Sequence, residues 1–389
     1  MAYGCVPNGD DIVKGLTLFA RLGRDDDPYN CPDLSLHATD EVFELVGSEL
    51  DGEKAELYGR LTTLSSLIYT VDGDVMVLCI SFTPTFLDGE VSYYLVYDSV
   101  AASLSLLPCQ PDYCQLVCTE FPLKVKVEEE HNRYSLVLMA ERSEDKGPVL
   151  CLWSPPPSAD DNGGCYHECA YYLKDRVRVN AMANPFQAHV VFSFKGNAVW
   201  GDLGQGILYC DCRHLISSLG PVDFKYIMLP KECRIKFDRY DLDQNCMPVF
   251  RNMGCVGDSI WFVIIKPSFD RPGDTEVKVW TLDLLSEEWN LHRVFSMQSL
   301  WKLELFRAMG LPKAVPEFPI LRPQRDDCTI YMILCEPYRG GVPYAHLVCI
   351  DLSSTYRPRI LSRKRICLQV MERPLLLELD FFNRRDMAV

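Results

Sequence analysis

Five times along this chain a short apolar strand runs into Asp or Ser and then turns. The units are Leu95-Val96-Tyr97-Asp98, Cys151-Leu152-Trp153-Ser154, Leu208-Tyr209-Cys210-Asp211, Trp280-Thr281-Leu282-Asp283 and Val348-Cys349-Ile350-Asp351. Their last residues lie 56, 57, 72 and 68 positions apart. A four-stranded antiparallel unit cannot bury both of its faces alone, and radial stacking of such units supplies the missing contacts. The steps exceed the usual propeller repeat of about 40–50 residues, so long loops must absorb the excess. The expected fold is all-β: a β-propeller-like array of antiparallel sheets, about five to six blades, with minor helices. A β-sandwich or a pair of smaller β domains is the alternative.

The runs between these units agree. From Leu64 onward, short β-branched and aromatic stretches alternate with Gly, Pro and Asp, which favours an all-β fold over βαβ units. Asp72-Gly73 between Leu67–Thr70 and Val75–Phe82 is a hairpin signal, because both residues tolerate positive φ. Helices are expected at two places here: Cys212–Leu219, stopped by Gly220, and Ser296–Met309, ended by Gly310. The first 60 residues read as a poorly defined extension to a propeller-like domain at 61–389. Within the extension Thr39–Leu50 suits a short helix, with Thr39 as N-cap and Val42, Phe43, Leu45 and Val46 as an uneven apolar face.

Charge and cysteine bound the setting. A net charge of −15 repels nucleic-acid phosphates and anionic membranes on average, so neither is an expected partner. The exception is a local run, Arg357, Arg359, Arg363, Lys364 and Arg365. Its plain reading is a solvated loop and strand face; nuclear import or anion binding are the alternatives. Residues 1–15 lack the basic start and apolar run of a secretory signal, and no apolar stretch reaches membrane-spanning length. A cytoplasmic or nuclear location is expected, with the 18 cysteines reduced. Cys79, Cys151, Cys335 and Cys349 lie in apolar stretches and are expected to be core fillers.

The most distinctive stretch is Ala198-Val199-Trp200-Gly201-Asp202-Leu203-Gly204-Gln205-Gly206-Ile207-Leu208-Tyr209-Cys210-Asp211, followed by Phe224-Lys225-Tyr226-Ile227-Met228-Leu229-Pro230. This pattern of Trp strand, Asp-Leu, turn, Gly-Ile-Leu, Asp and later Leu-Pro resembles the plant domain of unknown function 1618 family, over about 198–330. It also resembles the propeller-like domains attached to plant F-box proteins. The family has no agreed activity, so the resemblance implies fold and a plant source more than function. Gly201 departs from the larger apolar residue the family carries between Trp and Asp, a change expected to weaken that strand slightly. Read from its residues, the segment is two strands joined by a tight turn. Trp200 anchors an inter-sheet core, Asp202 braces the turn, and Gly204 and Gly206 supply conformations closed to larger residues.

Recognisable catalytic apparatus is missing from the sequence. Gly204-x-Gly206 lacks the third Gly and long helix of a dinucleotide fingerprint. There is no Gly-x-Ser-x-Gly elbow, Walker A loop or His-Glu-x-x-His helix. Cys165-Tyr166-His167-Glu168-Cys169, Cys210-Asp211-Cys212-Arg213-His214 and the looser Cys109, Cys114 and Cys118 contain metal-ligand types without a recognised zinc spacing. Incidental cysteines and turn histidines are the preferred reading, and no cofactor is expected. Cys212 with His214 is a nucleophile–base pair by proximity alone. Asp202, Asp211, Asp283 and Asp351 qualify for glycoside hydrolysis by count, but that chemistry needs two carboxylates in one pocket. At equivalent strand ends they are expected to cap turns instead. The leading expectation is a non-catalytic protein-interaction scaffold whose partner is another protein. The alternatives are a small-molecule or glycoside hydrolase using pocket carboxylates, and a structural duplicate without retained activity.

Overall fold

The computed structural model describes residues 2–3, 9–21, 33–48, 61–72, 74–84, 91–100, 103–108, 114–116, 122–126, 134–142, 148–155, 171–174, 177–179, 186–216, 222–235, 247–321, 328–337, 344–353 and 358–367. The N-terminal part contributes β1 (Ala2–Tyr3), α1 (Gly9–Lys14), the hairpin β2 (Leu16–Arg21) and β3 (Asp33–Ala38), and α2 (Asp40–Ser48). Five antiparallel sheets follow. Blade 1 is β4 (Leu61–Asp72), β5 (Val75–Pro84), β6 (Val91–Asp98) and β7 (Ser103–Pro108). Blade 2 is β8 (Cys114–Leu116), β9 (Leu123–Lys126), β10 (Tyr134–Arg142), β11 (Pro148–Trp153) and β12 (Tyr171–Lys174), with β1 added at its edge. Blade 3 is β13 (Val177–Val179), β14 (Val190–Phe194), β15 (Asn197–Asp202), β16 (Gly206–Asp211) and β17 (Val222–Met228), β13 pairing parallel to β17. Blade 4 is β18 (Arg251–Val256), β19 (Ser259–Lys266), β20 (Glu276–Asp283) and β21 (Glu288–Ser296). Blade 5 is β22 (Pro316–Leu321), β23 (Thr329–Cys335), β24 (Tyr344–Asp351) and β25 (Arg359–Cys367).

This is a five-bladed β-propeller, and the recurrent units of the sequence are the third strands of its four-stranded runs β4–β7, β9–β12, β14–β17, β18–β21 and β22–β25. Asp98, Asp211, Asp283 and Asp351 close β6, β16, β20 and β24, and Ser154 follows β11. The first strands touch from blade to blade, β9 with β14, β14 with β18 and β18 with β22. Side-chain bonds tie them. Lys124 Nζ donates to the Asp72 carbonyl, Ser193 Oγ to the Lys124 carbonyl and Asn252 Nδ2 to the Pro319 carbonyl. Lys124 also lies 5.4 Å from the Tyr134 ring centroid, and burial lowers its pKa.

Strand alternation explains why both faces of a blade are apolar. Along β15 and β16, Ala198, Trp200, Leu208 and Cys210 point to blade 2, while Val199, Ile207 and Tyr209 point to blade 4. Along β19, Ile260, Phe262 and Ile264 face blade 3, and Trp261, Val263 and Ile265 face blade 5. Each blade therefore removes its neighbour's apolar face from water, worth about 25 cal/mol per Å². Ile12, Leu16, Val42 and Val46 cover the remaining face of blade 1, packing on Met76, Leu78, Ile80 and Phe82. The Val42 and Val46 stripe expected of a helix near Thr39 is thus present on α2.

Four local expectations change. The helix expected over Ser296–Met309 is two short ones, α5 (Met297–Trp301) and α6 (Glu304–Ala308), because Leu303 takes extended backbone (φ −66°, ψ 135°). The preceding short helices are α3 (Cys212–Ile216) and α4 (Met247–Phe250). Among the described residues the glycines at positive φ are Gly196, Gly257 and Gly310, so neither Gly204 nor Gly206 is needed for that conformation. Gly206 is needed for close approach instead: a Cβ there would lie 2.4 Å from the Ile227 carbonyl oxygen. Cys79, Cys151 and Cys349 are buried, whereas Cys335 is half-exposed, its thiol donating to Glu317 and pushed up to about 12 by burial and that carboxylate.

Gly201 is the fourth. A Cβ there would lie 2.6 Å from Val190 Cγ2 and 3.1 Å from Met253 Sδ. The absence of a side chain is what lets β14 and blade 4 close on β15, so it does not weaken the strand. Val190 is β-branched and cannot swing away easily. Gly201→Ala is expected to destabilise the protein by about 1–3 kcal/mol through overpacking, read from the urea midpoint. An unchanged midpoint would show that the interface has slack.

Candidate functional site

The strand-end carboxylates are engaged by their own turns. Asp98, Asp211, Asp283 and Asp351 each accept the N–H two residues on, from Val100 (2.9 Å), Arg213 (2.8 Å), Leu285 (2.9 Å) and Ser353 (2.7 Å). Arg213 also grips Asp211 through Nε and Nη2, which holds that carboxyl below its ordinary range. The Ser353 bonds do the same for Asp351. These four groups stand at the same place on four different blades, and no two share a turn. Asp202 is different: it is fully buried and accepts N–H groups from Gly204 (2.7 Å), Gln205 (3.1 Å) and Gln187 (3.1 Å). Side-chain acceptors used in this way fix loops; they are not arranged as an acid and a base around one substrate.

The cysteine clusters do not assemble either. Cys210 and Cys212 are packed in the core between blades 2 and 3, while His214 on α3 is exposed. The Cys212–His214 pair is therefore split between core and solvent. Residues 165–169, Cys109 and Cys118 lie outside the described residues, and Cys114 is on β8. Among the described residues no group of three His, Cys, Asp or Glu is placed to hold a metal ion.

One cavity gathers charge. It lies on blade 5, has a volume of about 510 Å³, and is lined by Gly310, Lys313, Glu336, His346, Arg363 and Arg365, with Pro312 and Pro337. The register of β24 and β25 builds it: Arg363 pairs with Val348, Lys364 with Leu347 and Arg365 with His346. Strand period two then sends Arg363 and Arg365 to one face and Lys364 to the other. Of the remaining basic run, Arg359 pairs with Asp351 and Arg357 lies outside the described residues.

Glu336 is the anchor of this cavity. Arg365 donates to it from Nε (2.8 Å) and Nη2 (3.1 Å), and His346 Nε2 lies 3.0 Å from its Oε1. These bonds, Arg365 first, lower the Glu336 pKa. The Arg365 guanidinium stacks 4.1 Å from the Tyr344 ring centroid, so its plane is set on two sides. His346 is buried, and burial outweighs the pull of Glu336, lowering its pKa. The neutral imidazole then carries its proton on Nε2 toward the carboxylate. Nδ1 is buried with no hydrogen-bond partner among the described residues. Lys313 lies 5.8 Å from the Trp301 ring centroid, and Arg363 Nη1 donates to the Met309 carbonyl. Neither partner is charged, so the cavity holds three cations against one carboxylate.

The five stacked sheets define a propeller class of protein, and the site within it is a cationic pocket. Residues 200–331 match the model of a family described as "Protein of unknown function (DUF1618)". That segment begins at Trp200 and ends in β23, before Glu336, His346, Arg363 and Arg365. No curated protein matches the chain. Similar solved structures include the catalytic domain of a Coprinopsis cinerea GH62 alpha-L-arabinofuranosidase, at 10% identity and TM-score 0.28, covering 72% of this chain and 87% of that one. A thermostable family-43 glycoside hydrolase matches at 10% identity and TM-score 0.31, covering 80% and 97%. The Vanderwaltozyma polyspora Nup133 β-propeller domain matches at 9% identity and TM-score 0.31, covering 78% and 92%. At these scores the likenesses carry no functional argument.

Sequence reasoning had Arg363 and Arg365 as candidates for anion binding and missed Lys313, Glu336 and His346. No local signal marks those three, because they arrive from three separate loops and strands. Among the described residues no helix is long and apolar enough to cross a membrane.

Proposed function

We propose that this protein is a non-catalytic protein-interaction scaffold. The observation that carries the reading is the engagement of Asp98, Asp211, Asp283 and Asp351 by their own turns, which leaves a rigid frame presenting loops rather than paired acid and base. Loops on such frames bind other proteins. A cytoplasmic or nuclear setting would suit this role. The blade 5 cavity supplies a place where a partner's charged group can be read.

The test joins two measurements on the full chain. Proximity labelling in its native tissue should enrich a reproducible partner, and that purified partner should bind saturably. Turnover of aryl glycosides and esters should stay at the buffer rate. Turnover that is lost on replacing Asp98, Asp211, Asp283 or Asp351 by Asn, without a saturable partner, would replace the scaffold by a hydrolase.

A further inference from the structure

We infer that the blade 5 cavity binds a phosphoryl group, a dianion presented as a phosphate monoester. The inference rests on the scaffold reading for its expected source, a phosphorylated side chain of the partner; the same chemistry on a free small molecule is the other source.

Charge is the first argument. Lys313, Arg363 and Arg365 converge on a cavity that contains one carboxylate, Glu336. The excess is two positive charges on a chain whose net charge is −15. A phosphate monoester carries about −1.5 to −2 near neutral pH and matches that excess; a single carboxylate would leave half of it unbalanced. Arg365 is paired with Glu336, whereas Lys313 and Arg363 are held by neutral groups that do not cancel their charge. Lys313 lies over the Trp301 ring, and Arg363 donates to the Met309 carbonyl.

Geometry is the second. Arg365 is fixed by two bonds to Glu336 and by the Tyr344 ring, so little side-chain freedom remains to be lost when a ligand arrives. Guanidinium forks suit oxygen acceptors arranged in a plane, and a phosphoryl group offers three. Glu336 is saturated by Arg365 and His346 and serves as the brace that orients them. A cavity of about 510 Å³ falls within the usual range for ligand sites, about 300–1,000 Å³, and leaves room for the atoms that carry the ester. Lys313 and Arg363 are exposed at its rim, where an incoming anion meets them first.

The experiment is fluorescence anisotropy on the full chain at about 0.15 M salt, where exposed charges beyond roughly 8 Å are screened. Four probes are compared: a phosphoserine pentapeptide, the same peptide with Glu, the unmodified peptide, and free O-phosphoserine as competitor. The phosphopeptide is expected to bind saturably, at least about tenfold tighter than the Glu peptide. Arg363→Ala and Lys313→Ala should each weaken it by roughly tenfold or more. Lys364→Ala, the same charge on the opposite face of β25, should leave it unchanged. Thermal unfolding of each variant verifies that the blade persists. Equal binding of the Glu peptide, equal loss in Lys364→Ala, or binding of neither phosphorylated probe overturns the inference. If O-phosphoserine binds as tightly as the phosphopeptide, the phosphoryl site stands and the scaffold reading of this cavity falls.

Discussion

Replacing Trp200 by alanine is expected to lower the unfolding free energy by about 3–5 kcal/mol, the usual cost of deleting a buried large aromatic side chain. Trp200 is fully buried at the interface of blades 2 and 3, in a cluster with Val137, Met139 and Leu150 from one blade and Leu208 and Phe224 from the other. Its ring meets Phe224 edge-on, with centroids 5.4 Å apart at 67°. Its indole Nε1 has no hydrogen-bond partner among the described residues, so what holds it is apolar contact. Trp200→Phe keeps much of that contact and loses no hydrogen bond; it is expected to cost less than about half as much. The check is the urea midpoint of each variant at comparable slope. If the phenylalanine variant proved as unstable as the alanine one, the anchoring would depend on the indole nitrogen and not on packing.

Asp202→Ala is the second large effect, expected at about 3–5 kcal/mol, the scale for stripping one partner from a buried charged network. The carboxylate has no exposed surface, and its loss takes the acceptor from the N–H groups of Gly204 and Gln187, while Gln205 N–H keeps only its 3.3 Å contact with the Asp202 carbonyl. Each buried donor left without an acceptor costs about 1–3 kcal/mol, with incomplete additivity. The turn it braces joins β15 to β16, where Asp202 pairs with Gly206, so the damage falls on the centre of blade 3. Asp283→Ala is the internal comparison. Asp283 accepts Leu285 N–H in an exposed turn, where water replaces the lost acceptor, and a change below about 1 kcal/mol is expected. Matching losses at the two positions would mean that burial is not what makes Asp202 matter.

The two residues show which parts of this molecule can be read in one dimension. Trp200 and Asp202 stand out in the sequence because their roles are local. A large aromatic on a short strand must find a core, and an Asp before Gly-x-Gly must meet the N–H groups of its turn. The same holds for the signature at Asp98, Ser154, Asp211, Asp283 and Asp351, which marks the third strand of each four-stranded run. Gly201 was misread for the opposite reason. Its strand pattern is ordinary, and the demand on it comes from Val190 and Met253, one of them on another blade. The Ser296–Met309 helix failed similarly, since helical spacing does not show where the backbone at Leu303 will extend.

Blade number and the blade 5 cavity belong to the tertiary structure. The spacing of the repeats allowed five or six blades; among the described residues the strand pairings make five, beside the two-stranded β2–β3. The basic run near the C-terminus reads as one continuous charge, yet pairing with β24 divides it, placing Arg363 and Arg365 beside His346 and Lys364 on the far face. Sequence alone settled the all-β class and the turn chemistry of the strand ends, because strand period and Asx turns act over a few residues. It had no means of joining residues 313, 336, 346, 363 and 365: strand register sets His346, Arg363 and Arg365 side by side, the loops before β22 and after β23 bring Lys313 and Glu336 to them, and register is decided by which apolar faces meet across the sheet.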